Sequence, residues 1–131
     1  MPDPLDELLE AARLASRSAY CPYSKFHVGA AILAGGRVYT GANVENASYG
    51  LTICAERTAA FAAVLAGASR FDAIAVSCAD APQGSGPELL SPCGACRQVL
   101  AEFADNATPV VVDGIGRMTL ADLLPMAFRL R

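Results

Sequence analysis

The sequence predicts an α/β fold, a three-layer α/β/α sandwich around a mixed sheet of about five strands. Apolar residues recur alternately at helical spacing and in short strand-like runs along the 131 residues, and this alternation is typical of a sheet with helices on both faces. Hydrophobic residues make up 53% of the chain, which is enough to bury a core without disulfide bonds. The sequence contains no internal repeat or linker, so we expect one domain, residues 1–131.

The first third of the chain predicts a helix followed by a hairpin. Asp3 is a suitable N-cap and Pro4 suits a first helical turn, and the run "DPLDELLEAARLASRSAY" has the apolar period of an amphipathic helix. Pro22 then ends the helical pattern. Two strand-like runs, "HVGAAILA" and "RVYTGANVE", flank Gly35–Gly36, a pair that favours a hairpin turn.

The rest of the chain alternates between helices and strands. "CAERTAAFAAVLA", residues 54–66, is nearly apolar all round and predicts a helix buried in the domain, ending at Gly67. The next segment, "FDAIAVSCA", predicts a strand, and "DAPQGSGPELLSP" predicts a long loop. A helix follows at "CGACRQVLAEFA", then a further strand at "TPVVVDG" and a short terminal helix, "LADLLPMAF", which is cut by Pro125.

Composition argues against two classes of partner. The formal net charge is -3, so no broad positive surface favours a nucleic-acid polymer. Apolar residues never run uninterrupted for the 18 or so positions that span a membrane.

The N-terminus is acidic where a secretory signal would be basic, and five cysteines are an odd count for a disulfide framework. We therefore expect a cytoplasmic protein in which the thiols bind metal or react.

Three cysteines have the spacing of a metal site. Cys93 and Cys96 form a C-x-x-C motif at the start of one predicted helix, and Cys54 stands at the start of another. A catalytic zinc typically has three protein ligands and leaves its fourth position to water. The positive end of a helix dipole favours thiolate over thiol, and so favours metal binding. The sequence thus predicts a zinc site with three thiolate ligands.

Two neighbours of Cys54 give the site a chemical role. Glu56 is close enough to reach the open position of the metal without being a ligand, where it could take up and deliver a proton. Zinc with three thiolates sums to a charge of -1, and Arg57 is placed to offset it by donating hydrogen bonds to sulfur. A purely structural zinc site would have no use for Glu56.

The individual motifs have simpler interpretations. C-x-x-C alone is more often a redox pair or half of a structural zinc site, and it is the combination of C-A-E with P-C-G-A-C-R-Q that favours a catalytic site. Cys78 lies in an apolar run and is interpreted as a buried core thiol, while Cys21 has no predicted role. His27 is interpreted as structural or solvent-facing.

Three stretches together resemble a known family. "CPYSKFHVGAAI", "GANVENASYGLTICAERTAAFAAV" and "SPCGACRQVLAEF" are similar to the small, homotetrameric cytidine deaminases, from about residue 5 to Phe128. The resemblance implies one zinc per chain on Cys54, Cys93 and Cys96, a zinc-held water that attacks C4 of cytidine, and Glu56 as proton shuttle. Uridine and ammonia would be the products, as in pyrimidine salvage.

The resemblance also implies residues that bind the nucleoside. Phe26 would pack on the base, and Asn43 and Glu45 would hold the ribose hydroxyls; the two lie two positions apart near a strand end, so their side chains share a face. Tyr49 and Phe128 would be contributed across a subunit interface, giving a homotetramer with shared active sites. Ala55, between a ligand and the proton shuttle, completes the predicted substrate-binding residues.

Other functions remain open at this point. The main expectation is deamination of cytidine and also 2′-deoxycytidine, since a site that grips the 3′ side of the sugar need not inspect the 2′ position. A deaminase of a cytosine-nucleoside antibiotic of the blasticidin type would share the metal motifs. A zinc-stabilised RNA-binding or RNA-editing module is disfavoured by the acidic balance, and a structural zinc protein would not need Glu56.

Overall fold

The computed structural model describes residues 3–130 and confirms the predicted α/β class. Its helices are α1 (Pro4–Ala15), α2 (Ala55–Leu65), α3 (Pro87–Leu90), α4 (Gly94–Phe103) and α5 (Leu120–Leu123). Its strands are β1 (Val28–Ala34), β2 (Arg37–Ala42), β3 (Ala73–Cys78), β4 (Pro109–Val112) and β5 (Gly116–Thr119). Short 3₁₀ turns occupy Ser16–Ser18 and Tyr49–Leu51. Within the described range, no helix has the length and apolarity that crossing a lipid bilayer requires.

The five strands form one mixed sheet in the order β2-β1-β3-β4-β5. Only β3 and β4 run parallel, and the other described pairs are antiparallel. The parallel pair needs a crossover connection, and α4 lies in that connection. The turn between β1 and β2 is the predicted one, with Gly35 at φ 58° and Gly36 at φ 79°, angles that glycine adopts without steric cost.

Helices cover both faces of the sheet, as predicted. On one face, Leu8 and Ala12 of α1 pack on a small cluster formed by Ala31, Ala73, Ala75 and Val111. On the other face, α2 and α4 pack on the alternate residues of the same strands, which include Ala30, Ile32, Ile74 and Val76. Successive strand residues point to opposite faces, so each central strand contributes to both clusters.

The N-terminal helix begins as expected and ends earlier. Asp3 caps α1 by accepting a hydrogen bond from the Leu5 backbone N–H at 2.9 Å. The α-helical part ends at Ala15, a single 3₁₀ turn follows at Ser16–Ser18, and Ala19 is already extended.

Other differences concern α2 and the C-terminal half. The helix α2 is not buried all round, because Phe61, Val64 and Leu65 are 50%, 40% and 91% exposed. The predicted long loop contains the short helix α3, and the fifth strand, β5, follows a turn that the apolar pattern did not locate. Helix α5 ends at Leu123, since the residue before a proline disfavours helical angles and Leu124 has φ -141° and ψ 75°.

Candidate metal and substrate site

The three predicted ligands are brought together by two helix starts on one face of the sheet. Cys54 immediately precedes α2 and Cys93 immediately precedes α4, each with extended backbone angles and a side chain that does not cap its helix. Cys96 lies in the first turn of α4 and is fully buried. Because both thiols at the N-caps are released from capping, they are available to a metal.

The sulfur atoms have the spacing that a single zinc requires. The Sγ atoms of Cys93 and Cys96 are 3.4 Å apart and those of Cys54 and Cys93 are 3.9 Å apart. All three lie within 4.8 Å of one another, and none is in a disulfide. Tetrahedral zinc with Zn–S bonds of about 2.3 Å separates its sulfur ligands by roughly 3.8 Å. The donor set therefore fits one zinc ion, as the sequence predicts.

The surroundings favour negative charge on Cys54. Hydrogen bonding from the Cys96 thiol is the main cause that lowers the pKa of Cys54 to about 5, and Arg57 adds to it by donating from Nη2 to Sγ at 3.5 Å. The pKa of Cys96 is raised, because this thiol is the donor to Cys54 and is buried. The Nε atom of Arg57 is buried with no hydrogen-bond partner. Arg57 thus supplies positive charge where three thiolates would otherwise accumulate negative charge.

Glu56 is the second residue of α2, in the first turn of the helix, and is removed from water. Only 4% of the residue is exposed. Burial raises the pKa of its carboxyl to about 7, and the negative charge of Cys54 contributes in the same direction. A carboxyl group with a pKa near neutrality can both accept and donate a proton under physiological conditions.

A cavity of about 190 Å³ opens beside the cysteines. Its walls include parts of β1 and β3, the start of α2, and α3 with the segment that follows it. The lining residues are Phe26, Val28, Asn43, Thr52, Cys54, Ala55, Glu56, Val76, Cys78, Leu89, Leu90, Ser91 and Cys93. The structure therefore brings the predicted residues Phe26, Asn43, Ala55 and Glu56 to the same cavity as two of the thiols.

Asn43 holds one wall of the cavity in place. Its side-chain nitrogen donates to the Phe26 carbonyl oxygen at 2.8 Å, and its side-chain oxygen accepts from the Val28 backbone N–H at 2.9 Å. An asparagine amide has two N–H donors, so one donor is left for a ligand. The same side chain can thus position Phe26 and bind a hydroxyl group.

The other predicted substrate residues lie outside this cavity. The Glu45 carboxylate accepts hydrogen bonds from the backbone N–H groups of Tyr23 and Ser24, at 3.0 and 3.1 Å, and from the Ser24 hydroxyl. Hydrogen bonding with Ser24 is the main cause that lowers the pKa of Glu45. Tyr49 and Phe128 are 87% and 68% exposed on the surface. A single chain does not bring these two aromatic rings to the cysteines.

Near the site, the structure corrects the prediction about Cys78 and agrees with that about His27. Cys78 is not a fully buried core thiol: it is half-buried, lines the cavity, and has a pKa raised to about 11, mainly by burial. The strand period could have located it, because Cys78 shares a face with Val76 at the end of β3. His27 is partly exposed and its Nδ1 lies 2.6 Å from Asp80 Oδ2, in agreement with its interpretation as structural or solvent-facing.

Comparisons with known proteins agree with this geometry. Residues 3–112 match the family model described as the cytidine and deoxycytidylate deaminase zinc-binding region. A cytidine deaminase from Sporosarcina psychrophila is 49% identical over 95% of this chain and 90% of its own length. One from Mycobacterium tuberculosis (strain H37Rv) is 48% identical over 91% of this chain and 85% of its own length.

Solved structures show the same likeness. The crystal structure of cytidine deaminase from Burkholderia pseudomallei has a TM-score of 0.83 at 48% identity and covers 94% of this chain and 98% of that chain. The crystal structure of cytidine deaminase from Mycobacterium tuberculosis has a TM-score of 0.85 at 43% identity and covers 98% of this chain and 100% of that chain. With its three-cysteine cluster and its cavity, the chain therefore belongs to the cytidine deaminases, a family of zinc-binding hydrolases.

Proposed function

We propose that this chain converts cytidine and 2′-deoxycytidine to uridine and 2′-deoxyuridine, with water consumed and ammonia released, and that Glu56 is the catalytic proton shuttle. The observation that carries the proposal is a buried carboxyl with a pKa of about 7, in a cavity that two thiols of the metal cluster also line. This reaction would belong to pyrimidine salvage.

Hydrolytic deamination needs a nucleophile and a proton carrier. When bound to Cys54, Cys93 and Cys96, zinc supplies Lewis acidity that makes water a nucleophile near neutral pH. Glu56 would hold the proton that water loses and deliver it to N3 of the pyrimidine. It would then take the second proton from the new C4 hydroxyl group and deliver it to the amino group, which leaves as ammonia. Burial suits Glu56 to both steps, because a group with a pKa near the working pH exchanges protons efficiently.

The nucleoside is proposed to lie with its base against Phe26 and its sugar near Asn43 and Glu45. The remaining amide N–H of Asn43 and the carboxylate of Glu45 could together bind the 3′ side of the sugar, with Ala55 lining the cavity beside the base. Support for this placement comes from Phe26, Asn43 and Ala55, which line one cavity with Glu56. Such a site would tolerate either a hydroxyl or a hydrogen at the 2′ position.

We further propose a homotetramer of single catalytic domains in which Tyr49 and Phe128 complete the active sites of neighbouring subunits. Support comes from their exposure, because exposed aromatic rings are enriched at protein interfaces and these are 87% and 68% exposed. The cytosol is the proposed compartment, since all five cysteines are free thiols and a reducing environment preserves them.

A substrate panel tests the proposed function. The purified chain would be assayed with cytidine, 2′-deoxycytidine, cytosine, adenosine and blasticidin S, by ammonia release and by loss of substrate absorbance, with zinc per chain quantified. We expect both cytosine nucleosides to react, and kcat/KM to be at least about 1,000-fold lower for cytosine and adenosine. A preference for the antibiotic, or no turnover of cytidine by zinc-loaded protein, would contradict the proposal.

A further inference from the structure

Arg97 connects the metal-binding segment to the C-terminal part of the fold. It directly follows Cys96 on α4, and its guanidinium group donates three hydrogen bonds. Nε donates to the Pro92 carbonyl oxygen at 2.7 Å, Nη1 to the Leu123 carbonyl oxygen at 2.5 Å, and Nη2 to the Ser91 hydroxyl at 3.2 Å. A single side chain thus joins the residues just before Cys93 to the end of α5.

These contacts differ from those of three other arginines, which pair with carboxylates. Arg13, Arg70 and Arg117 each form an ion pair with at least one aspartate. Among the ion pairs found in residues 3–130, none includes Arg97. Its planar group instead contacts neutral acceptors in a fixed geometry, which is the use for which a guanidinium is better suited than an ammonium.

Of the three cysteines, Cys93 is the one with the least support of its own. Cys96 is buried inside α4, and Cys54 receives a hydrogen bond from Arg57. Cys93 is exposed, precedes its helix, and its side-chain hydrogen bonds run only to the other two sulfur atoms. The peptide that carries the Pro92 carbonyl also carries the Cys93 nitrogen, so a bond to this carbonyl restrains the backbone from which the Cys93 thiol projects.

We propose that Arg97 is a positioning residue that holds Cys93 in place for zinc by tying the Ser91–Cys93 segment to the end of α5. This inference deepens the proposed function, because it rests on zinc binding by the three cysteines. Residues that orient metal ligands from outside the coordination sphere commonly change metal affinity or activity by 10- to 100-fold, on the order of what we expect here.

Zinc release provides the test. Arg97→Met, Arg97→Lys and the wild type would be loaded with zinc and challenged with excess chelator while a colorimetric indicator follows the metal. Arg117→Met is the matched control, because it removes an arginine that pairs with Asp3 and Asp6 away from the cysteines. Melting temperature and cytidine turnover would be recorded for all four proteins, and the cobalt-substituted forms would report thiolate coordination by their charge-transfer absorption.

We expect Arg97→Met to release zinc at least about tenfold faster than the wild type, with weaker thiolate-to-cobalt absorption and a lower kcat at a nearly unchanged KM for cytidine. Arg97→Lys keeps the positive charge, but an ammonium group cannot contact all three acceptors in the geometry of the guanidinium group. Its zinc-release rate should therefore lie between those of the wild type and Arg97→Met. The proposal would be overturned if both variants released zinc at the wild-type rate. If Arg97→Met does not fold, a wild-type rate of zinc release in Arg97→Lys alone would overturn it. Cytidine turnover by the wild type judges the proposed function separately.

Discussion

Burial, more than any charged neighbour, sets the proton affinity of Glu56. Cys54 and Glu56 lie two positions apart at the start of α2 but have different environments: Cys54 is partly exposed and receives hydrogen bonds from Cys96 and Arg57, whereas Glu56 is almost fully buried. The pKa of the thiol is lowered to about 5, mainly by hydrogen bonding from Cys96, while burial raises that of the carboxyl to about 7. Two acidic groups on one helical turn thus acquire the separate roles of metal ligand and proton carrier.

Glu56→Gln should abolish most activity without removing the metal. The amide has the same shape and cannot take up a proton, so we expect kcat to fall by about 10²- to 10⁴-fold, with zinc per chain unchanged because Glu56 is not a proposed ligand. Zinc quantification and cytidine deamination measure the two effects. Glu102→Gln, on the exposed side of α4, is the control and should retain wild-type turnover. A Glu56→Gln enzyme of near wild-type kcat would contradict the proton-shuttle role.

At the scale of elements, two glycines set how closely the helices approach the sheet. A Cβ atom built on Gly29 would lie 1.9 Å from the Ala12 carbonyl oxygen of α1, and one on Gly41 would lie 2.3 Å from the Ala59 nitrogen of α2. These contacts are with backbone atoms, so a helix would have to move to relieve them. Helices α1 and α2 lie on opposite faces of the sheet, and of these two helices α2 is the one next to the metal site.

Gly29→Ala and Gly41→Ala therefore form a matched pair. Both should lower the free energy of unfolding by about 1–3 kcal/mol, as overpacking does, measured by urea denaturation of the zinc-loaded proteins. We expect Gly41→Ala also to reduce kcat and speed zinc release, because displacement of α2 moves Cys54 and Glu56. Gly29→Ala should displace α1 and leave both quantities near wild type. Equal effects of the two variants on zinc release would show that α2 alone does not position the site.

Across the whole molecule, one polar network joins segments that are far apart in the sequence. The Asp113 carboxylate accepts hydrogen bonds from Arg13 Nε and Nη2 at 2.9 and 2.8 Å, and from the buried Ser77 hydroxyl at 2.8 Å. The network links α1 with the ends of β3 and β4. Hydrogen bonding from Arg13 is the main cause that lowers the pKa of Asp113.

This shift predicts a pH-dependent contribution to stability. A carboxyl with a lowered pKa stabilises the fold above its ordinary pKa, 3.8 for Asp113, and loses that contribution as pH falls through the lower folded-state value. Asp113→Asn should cost about 1 kcal/mol at neutral pH, discounted because Arg13 is half exposed. Urea denaturation should show the difference from wild type shrinking below pH 3.8.

Asp105→Asn is the control for this network. Asp105 pairs with Arg70, and the two side chains are 59% and 66% exposed, so we expect a loss within about 0.5 kcal/mol. A loss from Asp113→Asn that is no larger than the control, or that does not change with pH, would show that the network contributes little to folding.

Particular residues show how far sequence reasoning reached. The Asp3 cap and the Gly35–Gly36 turn depend on interactions within a few residues, and the structure confirms them. The two cysteine motifs predicted the zinc ligands, and the structure brings their three thiols into one cluster that can hold a metal ion. The strand β5, the exposed outer face of α2 and the position of Cys78 in the cavity were not predicted. Each depends on which elements pack beside it, and a chain segment with weak or uniform apolar patterning carries little information about its neighbours.

The sequence by itself determined the donor chemistry: three thiols, a carboxyl and a guanidinium placed at two helix starts, where backbone N–H groups favour negative charge. Tertiary structure alone decided that Cys54 and Cys93, 39 residues apart, have sulfur atoms at 3.9 Å, that Glu56 is shielded from water, and that Arg97 reaches both Pro92 and Leu123. Local propensity acts along the chain, whereas burial and convergence arise when separate elements pack on the same face of one sheet.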